Sequence, residues 1–512
     1  MGLQGKLGGL LCCKNVNAQR RKDKTRMYIT DNSLINAKIR SEAVMTDLEF
    51  FAVEVKKWLT SDERREAIKG QEYYKGNQDI LKRKRMVVGP GEELIEAKYL
   101  PNTRIVDNQF GKMVDQKKNY LLGKPVTFKT DDEAYSAKFK DILGRKFMRT
   151  LKLAGEDSII NGIAWLYPYI DKDGQLSFCE FPRSEILPFW HDAAHTQLDC
   201  AVRLYEIEVY EGTTSKNKTY VELISLEGIK TYCYDSGKLE LISESPYLTE
   251  TDEKGEVKHY NWNRIPLIPI KFNAKQLSLF ERCRQLQDAI NLILSNFVNS
   301  TEENPHNTVL VLRNHEGTDL NQFRHNLAAY GVIKVNTVEG VPGGVDALNI
   351  EVTPENFKIV HALLKKALIE NARGYDAKDE RMGGQPNQMN IQSMYSDIDL
   401  DANDMETELQ AAFEDILWFV NVYLSNSGHN ILDNTAVEII FNRDILINET
   451  EAINNCKASV GLISDETIVS QHPWTTDTKA ELKKLEKQNA EQEQGNDSFR
   501  AAFEQRLNSN EE

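Results

Sequence analysis

The sequence is poor in cysteine and has no hydrophobic run long enough to cross a membrane. Its seven cysteines are scattered along 512 residues and form no Cys-x-x-Cys pair. This pattern argues against a zinc site and a disulfide framework, and it predicts free thiols in a reducing cytoplasm. No stretch approaches the roughly 18 apolar residues that a membrane helix needs. We therefore expect a soluble protein with no membrane partner.

The N-terminus lacks the marks of a targeting signal. The apolar run 7–13 is short and follows no strongly basic region, so it does not resemble a signal peptide. Gly2 could accept a myristoyl group, but Lys6 stands where that motif requires Ser or Thr. Residues 1–40 are polar and basic without a sustained period, and we expect them to form a mobile arm.

Motifs of the common enzyme classes are absent. A nucleotide-driven motor would need GxxxxGK[ST], in which backbone amides cradle the phosphates and the hydroxyl holds magnesium. The Gly-Lys pairs of this chain are followed instead by Leu7, Met113, Pro125 and Leu239. GxSxG, HExxH and GxGxxG are missing too, so simple hydrolase, metalloprotease and dinucleotide-binding functions lack support. We expect no enzyme activity, no cofactor and no metal.

Positive charge is in the minority. The chain has 63 Lys and Arg against 78 Asp and Glu, a net charge of −15. A free-standing DNA-binding protein normally has a basic surface, so this balance argues against one. It is compatible with a protein that DNA must pass without adhering, because acidic surfaces repel phosphates. The length further predicts two to four subdomains.

The C-terminal half contains three long amphipathic helices between residues 277 and 424. At 1.5 Å per residue the first would span roughly 37 Å and the third roughly 54 Å. A mixed insert separates the first two, with strands predicted at 309–313, 332–335 and 347–352 and a helix at 320–330. Apolar residues recur every three or four positions. These stripes are Phe280, Cys283, Leu286, Ile290, Ile293 and Phe297; Phe357, Val360, Leu364 and Leu368; and Met394, Ile398, Met405, Leu409, Ala412, Ile416, Phe419 and Tyr423.

The N-terminal half reads as helices followed by antiparallel strands. A helical pattern runs from Ser41 through Trp58, and the sequence 60–63 resembles a capping box for a second helix that stops at Gly76. Another helix is predicted at 104–122. Strands are predicted at 163–170, 175–181, 201–209, 220–225 and 230–234, with a hairpin turn at 171–174. A late strand at 437–441 and polar helices at 448–507 complete an α+β chain.

Two carboxylate clusters could suggest metal binding. Asp171, Asp173 and Glu180 have part of a calcium-loop spacing, but Tyr169 occupies the first ligand position and strands flank the turn. The second cluster is Asp397, Asp399, Asp401 and Glu408, in which Ala402 replaces the required glycine. We interpret the first as a hairpin turn and the second as the solvated acidic face of a long helix.

Histidines and the basic run have ordinary interpretations. His191 and His195 could pair as ligands, but Pro188 before them and turn-like residues between them favour a loop. The sequence around His472 is typical of a turn between terminal helices. The run 82–85 contains four cations, and such a run most often indicates a solvated basic loop.

Several stretches, in this order, resemble one known family. They are YYKG at 73–76, NTRIVDN at 102–108, KKNYLLGKP at 117–125, ILPFWHD at 186–192, NIQSMYSDI at 390–398 and FNRD at 441–444. The chain resembles the portal proteins of tailed double-stranded DNA phages, of the type found in siphophages of Gram-positive hosts. The resemblance extends from about residue 48 to residue 485. Single motifs are weak, whereas their order and the arrangement of long helices are specific.

The resemblance implies a portal fold of class α+β, with an α/β wing, a two-helix stem, a small α/β clip, a long kinked helix and an α-helical crown. By position, the arm is 1–40, the wing is 41–275 with 389–447, and the stem helices are 276–301 and 353–374. The clip is 302–352, the tunnel loop 375–388, and the crown and tail 448–512. The arm, with Cys12 and Cys13, has no counterpart in this plan.

The resemblance also implies the function and partners of the chain. About a dozen identical subunits would form a ring at one capsid vertex of the virion, assembled in the host cytoplasm. Double-stranded DNA would be packaged and ejected through its channel. The ring would dock the terminase and later the head–tail adaptor, and it would contact capsid and scaffolding proteins.

The tunnel loop is the predicted DNA-contacting site. Its cations could touch passing phosphates without trapping them, its Gly-Gly pair allows backbone freedom and Pro386 limits that freedom. The predicted contact residues are Lys378, Arg381, Met382, Gly383, Gly384, Gln385 and Asn387.

Two other functions remain open at this point. One is a metal-dependent nuclease that uses Asp397, Asp399, Asp401 and Glu408, although such a site would need carboxylates converging from separate elements. The other is a non-portal head or neck protein with similar helices, which would have no central channel.

Overall fold

The chain divides into two compact units in the computed structural model. The described residues are 46–488, except 89–92, 99, 131–132, 213, 252–255, 304–307, 314–343, 350–353, 377–387, 428–436, 444–447, 476–477 and 479. The first unit is Met1–Gly374 with Asp401–Arg443, and the second is Tyr375–Leu400 with Asp444–Glu512.

Helices and antiparallel strands both contribute to the fold, which confirms the predicted α+β class. The helices are α1 (Asp47–Thr60), α2 (Asp62–Tyr74), α3 (Gln109–Leu122), α4 (Glu133–Ile142), α5 (Arg145–Asn161), α6 (Leu279–Glu303), α7 (Pro354–Asn371), α8 (Gln388–Asn426), α9 (Glu449–Ala458) and α10 (Asp465–Gln471). The strands are β1 (Met86–Val88), β2 (Leu94–Glu96), β3 (Thr127–Lys129), β4 (Ile163–Ile170), β5 (Leu176–Phe181), β6 (Ile186–Trp190), β7 (Leu198–Glu211), β8 (Thr214–Ser225), β9 (Gly228–Asp235), β10 (Lys238–Ser245), β11 (Leu248–Thr251), β12 (Val257–Tyr260), β13 (Ile268–Lys271), β14 (Thr308–Arg313), β15 (Gly344–Asn349) and β16 (Glu438–Ile440).

The three long helices of the C-terminal half are confirmed. With 25 residues α6 spans about 37 Å, and with 39 residues α8 spans about 58 Å. Between α6 and α7, β14 pairs antiparallel with β15 from Thr308↔Asn349 to Arg313↔Gly344. The predicted helix 320–330 and strand 332–335 lie outside the described residues.

The second helix begins with a capping side chain, as predicted, but the predicted capping box at 60–63 is wrong. The capping box belongs to α1, where the Thr46 hydroxyl accepts from the Glu49 N–H and the Glu49 carboxylate accepts from the Thr46 N–H. Thr60 is still helical, and Ser61 caps α2 by accepting from the Arg64 N–H. Arg64 occupies the third position, and its side chain has no acceptor to return the bond.

A five-stranded sheet forms the centre of the β region, in the order β10-β9-β8-β7-β6. One face packs on α1, where Val202, Leu204 and Val221 meet Phe50 and Trp58. The other face contributes residues such as Ala201 and Ile224 to a second cluster. This second cluster also contains Ile163 and Trp165 of β4, in the three-stranded sheet β13-β4-β5. The sheet is therefore covered on both faces near its base.

Smaller predictions are also confirmed. The turn 171–174 closes the β4–β5 hairpin, because the Asp171 carboxylate accepts from the backbone N–H groups of Asp173 and Gln175. Gly76 lies in the left-handed region (φ 86°) just after α2. The late strand β16 pairs with β3. Among the helices in the described part of the chain, none combines the length and apolar character needed to span a bilayer.

Candidate functional site

The predicted DNA-contacting residues Lys378, Arg381, Met382, Gly383, Gly384, Gln385 and Asn387 lie outside the described residues. The residues that lead into this segment are described up to Asp376, and those that leave it are described from Gln388. The geometry of the candidate site therefore rests on the end of α7 and on the elements that hold it.

The end of α7 has an unusual residue in the left-handed position. The Arg373 N–H donates to the Glu370 carbonyl (3.0 Å) and the Gly374 N–H donates to the Ile369 carbonyl (2.9 Å), which is a Schellman ending. Glycine normally occupies the left-handed residue of this motif, but here it is Arg373 (φ 50°). An L-residue loses roughly 1–2 kcal/mol in that conformation. Other contacts of Arg373 must offset this loss.

Those contacts converge on Asp401. The Arg373 guanidinium lies 2.9 Å from one Asp401 carboxylate oxygen, and the Arg282 guanidinium and the Lys117 ammonium lie 2.9 Å and 2.8 Å from the other. Lys117 also donates to the Arg373 carbonyl (3.0 Å). The Asp401 carboxylate on α8 therefore connects α3, α6 and Arg373, which lies two residues after the end of α7. We call Asp401, Lys117, Arg282 and Arg373 the Asp401 cluster.

Burial shifts the pKa values of the charged groups in this cluster. Only 2% of Asp401 is exposed. Burial alone would raise the pKa of Asp401, but the Lys117 and Arg282 cations lower it below its ordinary value. Burial lowers the pKa of Lys117, and the Asp401 carboxylate opposes that effect. The carboxylate is therefore ionised at neutral pH and surrounded by three cations.

This result corrects the interpretation of Asp401 as part of a solvated acidic face. Asp397 is exposed as predicted, whereas Asp401 lies inside the protein beside Ile398 and Met405 of the buried stripe. Its spacing of three residues from Ile398 and four from Met405 was a signal that position 401 faces inward. Glu408, the last residue of the cluster predicted from sequence, lies 3.7 Å from the buried Lys271.

Residues 101–108, which we call the tie segment, were wrongly predicted to be helical from Arg104 onward. The helix α3 begins only at Gln109, with Asn108 as its N-cap. The polar side chains of α6 bind every second backbone N–H of the tie segment and one at the start of α3. The pairs are Thr103 N–H to Asn299 Oδ1 (2.7 Å), Ile105 N–H to Ser295 Oγ (3.0 Å), Asp107 N–H to Asn291 Oδ1 (2.9 Å) and Phe110 N–H to Gln287 Oε1 (2.9 Å).

These four hydrogen bonds form in a row because the repeat of the extended tie segment matches the repeat of the helix α6. Two residues of extended chain advance about 6.7 Å, and four residues of helix advance about 6 Å, so the two repeats match closely. All four polar side chains are buried. Such groups need hydrogen-bond partners when buried, and the tie segment supplies them. Uncharged polar residues at every fourth position of α6 could have predicted this contact. They were overlooked because the apolar stripe of the same helix was taken as its only buried side.

The tie segment also holds α7. The Asp107 carboxylate lies 2.7 Å from the Lys365 ammonium and 3.6 Å from His361 Nε2. Burial would raise the pKa of Asp107, but the bond from Lys365 lowers it. The rings of Phe297 and Phe357 stack at 4.0 Å between α6 and α7. The two helices are thus joined directly and through the tie segment.

One face of α7 is not covered by the residues that the structure describes. Leu368 of the predicted stripe is buried, but Val360 of the same stripe is exposed. Ile359 and Leu363 are 58% and 60% exposed. The predicted stripe was therefore only partly correct, because α7 packs on α6 through the side that carries Phe357 and Leu368.

The remaining candidates predicted from the sequence are the carboxylate clusters and the histidines His191 and His195. In the described part of the chain, no group of three His, Cys, Asp or Glu residues could hold a metal ion. His191 and His195 lie in a loop, as predicted, and the ring of His195 stacks on Trp190 at 4.7 Å.

Phage portal proteins are among the known proteins that this chain resembles. A family model described as phage portal protein, SPP1 Gp6-like, matches residues 59–495. The portal protein of Bacillus phage SPP1 is 26% identical over 434 residues, which cover 82% of this chain and 83% of that protein. The portal protein of Clostridium phage phiCD119 is also 26% identical over 434 residues, covering 82% of this chain and 92% of that protein. A chain of a solved neck of a native GTA particle, computed with C12 symmetry, is 12% identical with a TM-score of 0.36. That match covers 70% of this chain and 87% of the neck chain.

Proposed function

This chain belongs to the SPP1 Gp6-like family of phage portal proteins, and we propose that its copies form a ring-shaped DNA channel at one capsid vertex. Double-stranded DNA enters through this channel during packaging and leaves through it during ejection. The ring docks the terminase motor and later the head–tail connector. The family match over residues 59–495 is the observation that carries this proposal.

The structural parts are assigned by position. The wing comprises 41–275 and 389–447, the stem 276–301 and 353–374, the clip 302–352, and the crown with the tail 448–512. The pairing of α6 with α7 through Phe297 and Phe357 supports a two-helix stem. The β14–β15 pair between these helices supports a small clip that contains strands.

The tunnel loop 375–388 contacts DNA in this proposal, and the Asp401 cluster holds its root. Lys378 and Arg381 touch phosphates transiently, and the acidic surface of the ring keeps the duplex centred. The Schellman ending and the bond between Arg373 and Asp401 support this role, since they set the direction in which the chain leaves α7.

The mass of the purified protein tests the ring. We expect light scattering to give a mass of about twelve times the 58.5 kDa subunit, and negative-stain images to show a closed ring with a central hole. A monomer or dimer that persists at high concentration would contradict the proposal. It would favour an adaptor-like head or neck protein instead.

A deletion tests the tunnel loop separately from the ring. We expect the loss of residues 378–385 to leave the ring intact and to reduce the yield of packaged, retained DNA about tenfold or more, because the cations that meet the phosphates are gone. The substitution Lys172→Glu, at an exposed turn of the first unit, is the control for a general loss of positive charge. Unchanged packaging and retention in the deletion variant would show that the loop has no role in DNA passage.

We propose no catalytic function. Asp401 is bound to three cations and Glu408 lies beside Lys271, so these carboxylates do not form an open metal site. Incubation of the protein with magnesium and plasmid tests this conclusion. DNA cleavage that Asp399→Ala abolishes would overturn it.

A further inference from the structure

The outward side of α5 carries three cations over its first two turns. The opposite side is buried in the first unit through residues such as Phe147 and Leu151. Arg145 and Arg149 are exposed, and Lys152 is partly buried. At 3.6 residues per turn, these three side chains lie within an arc of about 60° on the helix surface. We call them the basic face of α5.

The charges of the basic face have no counter-charge among the described residues. Its two arginines form no ion pair or side-chain hydrogen bond with them. The Lys152 ammonium donates to the amide oxygen of Asn119 (2.7 Å), which is uncharged. Glu156, one turn further along α5, is already bound by the Lys118 ammonium (2.6 Å). The face is therefore a patch of uncompensated positive charge on a chain whose net charge is −15.

Two carboxylates come near the basic face without neutralising it. Asp141, near the end of α4, forms no ion pair with a described residue. The Gln175 N–H lowers the pKa of Asp171, and the exposed Lys146 ammonium adds a smaller effect. Lys146 projects about 100° from Arg145 around the helix, so Asp171 borders the face and does not cover it.

The cations of the basic face do not stabilise the helix that carries them. Gly144 provides no side-chain cap for α5, and the first turn of the helix contains no acidic residue. Cations at this end of a helix oppose its dipole, and like charges four residues apart, such as Arg145 and Arg149, repel each other. The first turns of α1 and α2 instead begin with Asp47 and Asp62. The basic face therefore needs an explanation other than helix stability.

The composition of the face favours a phosphate backbone over a protein surface as its partner. The centres of protein interfaces are apolar and poor in lysine. Leu153, beside the face, is 47% exposed, but the face itself consists of cations. Phosphates require only cations, and arginine binds them through two parallel N–H bonds. From Arg145 to Lys152 the helix advances about 10.5 Å, a length over which a DNA duplex presents roughly six phosphates.

We propose that the basic face of α5 binds the phosphate backbone of double-stranded DNA, with residues other than those of the tunnel loop. The contact does not depend on base sequence, because phosphates carry no sequence information. It goes beyond the proposed passage of DNA through the channel. It also does not require the ring, since all three cations belong to one helix of one subunit.

Charge reversal in the full chain tests this contact. The variant is Arg145→Glu with Arg149→Glu and Lys152→Glu, and the probe is a fluorescein-labelled duplex of about 30 base pairs, followed by fluorescence anisotropy. We expect the variant to bind at least about tenfold more weakly than the wild type at about 50 mM salt. The slope of log affinity against log salt should become shallower by about 3, because three phosphate contacts are lost.

Two controls separate the basic face from net charge and from the tunnel loop. Lys56→Glu with Lys238→Glu and Lys275→Glu makes the same change in net charge at three exposed positions on different parts of the chain. This variant should lose less than about threefold in affinity and keep the wild-type salt slope, since its cations do not form one face. A chain without residues 378–385 should still show the loss of affinity when the basic face is reversed.

A neutral variant guards against misfolding. Replacement of the same three cations by glutamine, a good helix former, should keep the wild-type circular dichroism spectrum and melting profile and still weaken DNA binding. The light-scattering mass of each preparation reports the ring separately. Loss of DNA binding in a particle of wild-type mass therefore supports the α5 contact and not a defect of assembly.

Three results would refute the contact and leave the portal function standing. The first is equal DNA binding by the charge-reversed variant and the dispersed control. The second is loss of binding in the chain without residues 378–385 but not in the charge-reversed variant, which would assign DNA binding to the tunnel loop alone. The third is a charge-reversed variant that binds DNA normally but no longer forms rings, which would place a neighbouring subunit on this face.

Discussion

Replacing Asp401 with asparagine is expected to lower the free energy of unfolding of the first unit by about 3–5 kcal/mol. The substitution preserves the shape of the side chain but removes the negative charge that Lys117, Arg282 and Arg373 share. The Lys117 side chain, which is only 3% exposed, then loses its buried counter-charge, whereas the Arg282 and Arg373 side chains are 25% and 42% exposed and stay partly hydrated. Urea denaturation followed by tryptophan fluorescence measures the change.

The pH dependence of this effect has a definite sign. The folded protein lowers the pKa of Asp401 below that of the unfolded chain, which is about 3.9. Its contribution to stability is therefore complete at pH values well above 3.9 and is lost as the pH falls through the folded pKa. The difference between wild type and Asp401→Asn should stay constant from about pH 6 to pH 8 and shrink in strong acid.

Matched substitutions identify the cause. Asp397→Asn removes an exposed carboxylate from the same helix and should change stability by less than about 0.5 kcal/mol. Adding Lys117→Met to Asp401→Asn removes one of the uncompensated cations and should recover part of the loss. Equal effects of Asp401→Asn and Asp397→Asn would mean that the buried cluster contributes little to stability.

Replacing Gly162 with alanine is expected to destabilise the first unit by several kcal/mol and to disturb the start of α6. Gly162 ends α5 in the left-handed region (φ 88°). A Cβ atom at this position would lie 2.0 Å from the Gln276 carbonyl oxygen, which is backbone and cannot turn aside. The Gly162 carbonyl also accepts from the Phe272 N–H (3.0 Å). The chain on both sides of Gln276 would have to move.

Gly237 provides a close control for this substitution. It has the same φ of 88°, but a Cβ atom there would meet nothing within 4 Å. Gly237→Ala therefore measures the conformational cost alone, about 1–2 kcal/mol. The excess loss in Gly162→Ala over Gly237→Ala reports the collision with Gln276. Melting temperatures that fall equally in both variants would show that the chain relaxes around the added methyl group.

The sequence by itself determined the local elements and the family. The lengths of α6 and α8 follow from apolar residues repeated every three or four positions. The β4–β5 hairpin follows from alternation and from the turn that Asp171 closes. These signals act over a few residues, so here they depended little on contacts with distant parts of the chain. The ordered stretches that resemble portal proteins agree with the family match over residues 59–495.

Contacts between residues that are far apart in the sequence could not be predicted from these local patterns. Asp401 was predicted to belong to a solvated acidic face with Asp397 and Asp399. Its cation partner Lys117 is 284 positions away, so the sequence around Asp401 gave no sign of it. The tie segment was predicted to be helical because local propensity permits a helix there. Its N–H groups instead bind Asn299 and Ser295, which lie 196 and 190 positions away.

The tertiary structure decided these outcomes for one physical reason. A buried carboxylate or amide must find partners, and only the packing of distant helices determines which partners are within reach. The strands β7 and β8 show the same limit. The patterns at 201–209 and 220–225 predicted both strands, but only the sheet shows that their pairing extends past β6 and β9.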